Sequence, residues 1–74
     1  MLDSKKYINR FDEIKALLDR QKPEDRLQFT SEVAVATSVP ILVVTHYYGQ
    51  LYGFTDDVVD KLNYLKKFYN TDVK

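Results

Sequence analysis

Ser38-Val39-Pro40-Ile41-Leu42-Val43-Val44-Thr45-His46-Tyr47-Tyr48-Gly49-Gln50-Leu51-Tyr52-Gly53-Phe54 is the stretch on which the fold depends. Read as a helix, Ser38 caps it, Pro40 sits in its first turn, and Ile41, Val44, Tyr48 and Leu51 form an apolar stripe. Read as strands, Ile41 to Tyr48 is rich in β-branched and aromatic residues, and Gly49-Gln50 supplies a two-residue turn before Leu51 to Phe54. The helical reading is preferred, because a Ser-x-Pro start is specific whereas a short apolar run suits either element. The choice separates an all-α bundle from an α+β chain with a short hairpin at 41–54.

The flanking segments are helical in pattern. Tyr7, Phe11, Ile14 and Leu18 recur at steps of four, three and four, widened by Ile8 and Leu17, with Asp3 or Ser4 able to cap the start. Lys22 precedes Pro23 and so marks a boundary. Pro23-Glu24-Asp25 then starts a second helix, proline being tolerated in a first turn and carboxylates suiting its positive end. Leu27, Phe29, Val33, Ala34 and Ala36 supply its buried side until Pro40 forbids continuation. Gly49 and Gly53, the chain's two glycines, are places to stop and turn. Thr55 caps a last helix, with Phe54 and Val59 at the spacing of a hydrophobic staple. Val58, Leu62, Leu65 and Tyr69, joined by Phe68, form its stripe, and Asp57 and Lys61 stand at ion-pair spacing. The expected architecture is a compact bundle of about four short helices over 4–21, 23–37, 39–51 and 55–69, with 70–74 a frayed tail.

Composition bounds the function. The chain has 74 residues, enough for a single domain, and is 45% apolar and 30% charged, as globular proteins are. Eleven basic residues balance eleven acidic ones, so the general basic excess of a nucleic-acid binder is missing and that partner is disfavoured. Cysteine is absent, which removes disulfides and thiolate metal sites and fits a cytoplasmic setting. Met1 to Lys6 leads into no apolar signal region, and Val39 to Val44 is too short to span a bilayer, so no membrane is expected.

No constellation for catalysis, a metal or a cofactor stands out. His46, the one histidine, has no second histidine or cysteine beside which to act. Asp56, Asp57 and Asp60 are acidic enough for a hard cation but lack the alternating ligands around a glycine of a calcium loop, and carboxylates at a helix start have a structural reason to be there. Phosphate loops and nucleophile elbows are also absent. The expectation is a protein that is not an enzyme.

Val33 to Tyr48 resembles a helix-turn-helix unit, with Ala34 where the helices cross, Thr37-Ser38-Val39 as the turn, and Val44 and Tyr47 pointing inward. The resemblance implies a DNA-binding regulator acting as a dimer, with contacts from Lys5, Lys6, Arg10, Lys66 or Lys67. It departs from that pattern where the outward positions hold Ile41, Leu42, Thr45 and His46 without a Lys or Arg, and where the turn lacks glycine. The stronger signal is the near absence of a polar face on the third helix. A domain this small cannot readily surround such a helix, so part of it is expected to face another protein or a second copy of the chain. The candidate interface comprises Ile41, Leu42, Thr45, His46, Tyr48, Tyr52 and Phe54.

Overall fold

A computed structural model of the chain describes residues 4–68, and among these there are four α-helices, a 3-10 segment and no strand. The bundle is all-α, and the hairpin alternative at 41–54 gives way to one unbroken helix. The helices are α1 (Phe11–Asp19), α2 (Arg26–Thr37), α3 (Ile41–Tyr52) and α4 (Asp56–Phe68).

Several boundaries differ from those expected, each for a local reason. The helix expected over 4–21 is divided: Ser4–Arg10 is 3-10 and kinks at Tyr7 (φ −112°, ψ 15°) before α1 begins. Arg10 gives α1 no side-chain cap, and 3-10 turns are one way to satisfy amides that no cap reaches. Such geometry is poor over long runs, consistent with the break at Tyr7. Asp3 lies outside the described residues, as do Tyr69 and the tail at 70–74. Pro23-Glu24-Asp25 makes a turn ahead of α2, closed by the Asp25 amide on the Lys22 carbonyl at 2.8 Å. Ser38 ends α2 and does not cap α3. It sits in the left-handed region (φ 58°), its amide reaching back to the Ala34 and Val35 carbonyls, while the Val39 amide donates to Ala34 at 3.1 Å. This is a Schellman ending with serine where glycine is usual. Pro40 then takes the N-cap position of α3, its carbonyl accepting from Val43 and Val44. Gly49 does not stop α3, which runs on to Tyr52 and closes at Gly53 (φ 107°).

α3 lies at the centre, packed against α1, α2 and α4. Two apolar clusters meet on it. One joins Ile14 and Leu18 of α1 and Val33 of α2 to Val43, Val44 and Tyr47; the other joins Leu42 to Val58, Leu62 and Leu65 of α4. Tyr47 is almost fully buried, with its ring edge-on to Phe11 at 5.0 Å. An apolar helix in a small domain is thus hidden by two separate layers, one on each side.

The buried face of α2 holds Val33 and Ala34 as expected, with Leu27 and Phe29 half-buried, but departs from its hydropathy elsewhere. Thr30 and Thr37 are interior, whereas Ala36 is exposed and Val35 is 82% exposed. Both threonines are satisfied along their own helix: the Thr30 hydroxyl donates to Leu27 and the Thr37 hydroxyl to Val33, each at 2.7 Å. Returning a hydroxyl to a carbonyl three or four residues back removes the cost of burying it. The Lys61 ammonium is engaged away from its own helix, on the Leu27 carbonyl at 2.7 Å and the Thr30 hydroxyl at 2.8 Å, so α4 is fastened to α2. The spacing with Asp57 had suggested a different partner. Burial holds the Lys61 ammonium below its ordinary pKa.

Candidate interaction surface

The third helix contributes a half-buried seam, not an open face. At 100° per residue, Ile41, Tyr48 and Tyr52 fall on one line, and all three are partly exposed. Ile41 and Tyr48 touch both apolar clusters, so the seam lies where the two layers meet. Leu42 and Thr45 are not at the surface. Leu42 is covered by α4, and Thr45, fully buried, donates its hydroxyl to the Ile41 carbonyl at 2.8 Å. Both are interior residues and not interface residues: the expectation assumed an uncovered side of α3, and these two positions are covered within the bundle.

Tyr52 is the best-anchored ring of the seam. Its hydroxyl donates to the Asp19 carboxylate, the Arg26 guanidinium lies 4.8 Å above its ring, and Tyr48 stacks at 4.9 Å on a tilt. Arg26 also donates from Nε to the Leu18 carbonyl at 3.1 Å, capping the end of α1. Lys15 meets Asp19 at 2.9 Å. Burial, and then the bond to Asp19, pushes the Tyr52 hydroxyl up to about 12. The Tyr52 bond, and then that from Lys15, holds Asp19 below its ordinary value. The ends of α1 and α3 and the start of α2 are tied together through this one ring.

His46 and Phe54 form the other visible part. The Phe54 ring is 49% exposed, tilted against His46 at 5.7 Å, and laid on the bare backbone of Gly49. A Cβ at Gly49 would stand 2.2 Å from the Phe54 ring, so only glycine admits it there. His46 is half-buried, with Nδ1 inside and unpaired. Val59 stays 40% exposed.

Sequence reasoning missed Asp19 and Arg26. Asp19 lies 33 residues from Tyr52, and no local spacing announces the pairing. It also missed Val35, which with Tyr7, Ser31, Ser38, Pro40 and Ile41 lines a shallow groove beside the α2–α3 turn. Of the helix-turn-helix positions, the crossing residue Ala34 and the inward Val44 and Tyr47 are buried, and so are two of the four outward ones, Leu42 and Thr45. Among the described residues no group of three or more acidic or histidine side chains is gathered to hold a metal, and no helix is long and apolar enough to cross a membrane. No protein-family model, curated protein or solved structure matches the chain.

Proposed function

We propose that this chain is a small non-enzymatic interaction protein that binds another protein through the aromatic end of α3, with Tyr48, Tyr52 and Phe54 as its contact rings and Ile41 and His46 at the margins. The observation that carries the reading is Phe54, a large ring left 49% exposed against His46, just beyond the end of the helix that also carries the Tyr48–Tyr52 pair. Tyrosine and phenylalanine are enriched at interface centres because a stiff ring covers much area for little lost freedom. The ties from Tyr52 to Asp19 and Arg26 remove part of that loss before any partner arrives.

The reading is tested by comparing what wild type and surface variants retain from a lysate, with circular dichroism as the check on folding. Phe54→Asp and Tyr48→Asp are expected to keep helix content and lose the retained partner. Leu42→Asp, at a buried position, should unfold and serves as the core control. Equal retention by wild type and a folded Phe54→Asp would remove this face from the function.

A further inference from the structure

The turn between α3 and α4 interrupts a pattern that the sequence continues. Val44, Tyr47, Leu51, Phe54, Val58 and Leu65 follow a seven-residue apolar repeat, and Lys61 fills the one remaining slot between the last two. The repeat passes straight through Gly53-Phe54-Thr55, so it has no use for a turn there. Phe54 is its central residue and the one the compact form leaves half outside.

The break is short. The Gly53 amide already donates to the Gly49 carbonyl at 2.8 Å, and the Val59 amide to Thr55 at 2.9 Å, both helical i to i−4 bonds. What departs from the helix is the backbone of Gly53, at φ 107°, and the two residues after it. α4 also packs on a cluster of its own. Its apolar cluster shares no buried residue with the one that unites α1, α2 and α3.

From these observations we infer that two copies of the chain exchange α4. The turn straightens, α3 and α4 join into one helix about 40 Å long, and each α4 packs on the α3 of the second copy. The Leu42 cluster and the Lys61 bonds to Leu27 and Thr30 are remade between chains, so little is lost in the exchange. The gain is at the crossing of the two long helices, where Phe54 of one copy, 49% exposed in the compact form, meets Phe54 of the other. The occupant is a second copy because the element displaced and the surface it leaves are complementary already. This inference does not rest on a foreign partner, and its test uses the purified chain alone.

Gly53→Ala is the decisive variant. Alanine disfavours φ 107° and favours a helix, so it weakens the closed form and strengthens the open one. Sedimentation should show its dimer dissociation constant lowered by about tenfold or more relative to wild type, and adding Phe54→Asp should restore the monomer. Filtered NMR on mixed labelled and unlabelled chains should place Leu42 methyls of one chain against Leu62 of the other. Should Gly53→Ala fail to fold, wild type refolded from urea at rising concentration takes its place, with the dimer fraction and the same interchain contacts as the readout. Monomers throughout, or a dimer whose Leu42–Leu62 contacts stay within one chain, would overturn the exchange.

Discussion

Toward α1 and α2, helix α3 meets Ile14, Leu18 and Val33, each fully buried; toward α4 it meets Val58, Leu62 and Leu65, two of which keep 7–9% of their surface exposed. The first layer carries an edge-on aromatic pair, Phe11 and Tyr47. The second is thinner and is supplemented by a lysine on a carbonyl. One helix thus takes part in a complete core and in a partial one. The difference implies that α1, α2 and α3 form the cooperative unit, with α4 held on it by a smaller apolar contact and a polar strap.

The comparison is broken or upheld most sharply by one pair of truncations. Leu18→Ala removes a side chain with no exposed surface and should cost about 4 kcal/mol, near the upper end for leucine, whereas Leu62→Ala should cost about 2. For a domain of this size the first loss approaches the whole stability. Urea unfolding gives the two values, and amide exchange should show α4 opening before α1 to α3 in Leu62→Ala. Equal costs, with exchange spread evenly over all four helices, would mean that the two layers form one core.

The α2–α3 junction belongs to the stronger half, yet it contains a strained residue. Ser38 holds φ 58° without being glycine. Ser38→Gly should therefore stabilise the fold by about 1 kcal/mol, seen as a higher midpoint in urea with an unchanged slope. A loss of stability would show that the serine side chain contributes more than its backbone strain costs.

Tyr52 joins the stronger half at its edge, and its contribution should depend on pH. The folded state raises the Tyr52 hydroxyl from 10.0 to about 12, so the stabilisation is complete below pH 10 and fades as pH rises through about 12. Asp19 is lowered from 3.8, so its share is complete above that pH and fades as acid carries it through the lower folded value. The stability difference between wild type and Tyr52→Phe should then be a plateau between these limits that falls at both ends. A difference constant across the whole range would separate the ring from its hydroxyl and assign its role to packing alone.

Much of this arrangement was legible in the sequence where burial follows hydropathy. Ile14 and Leu18, and Val58, Leu62 and Leu65, lie inside as their spacing requires, with Phe11 half-buried at the edge of the first stripe. α2 was less legible, because self-satisfied threonines count as polar in any pattern while Val35 counts as apolar and faces out. The seam was legible in type but not in extent. The excess of apolar residues on α3 shows that it is covered, yet nothing local says that the bundle will bury Leu42 and Thr45 and leave Tyr48 and Phe54 partly open. Pairings such as Tyr52 with Asp19 and Lys61 with Leu27 join residues 33 and 34 positions apart, and only the packed chain brings them together.

The smallest expected effect lies on the weaker side of α3, at Gly49. Glycine inside a helix costs about 1 kcal/mol against alanine, so Gly49→Ala should help α3. The new Cβ, however, would stand 2.2 Å from the Phe54 ring, which must leave its seat on the helix. Phe54 is already 49% exposed, so leaving forfeits about half of the burial value of its side chain, roughly 1 kcal/mol. The two effects should cancel to within about 0.5 kcal/mol, while the ring-current shift of Phe54 on His46 disappears from the NMR spectrum. Repeating the change in Phe54→Ala separates them: with no ring to displace, the alanine should return its full helical gain of about 1 kcal/mol. A gain no larger than in wild type would mean that Gly49 is kept for a close approach other than that of Phe54, and that the weaker side of α3 is tighter than its exposure suggests.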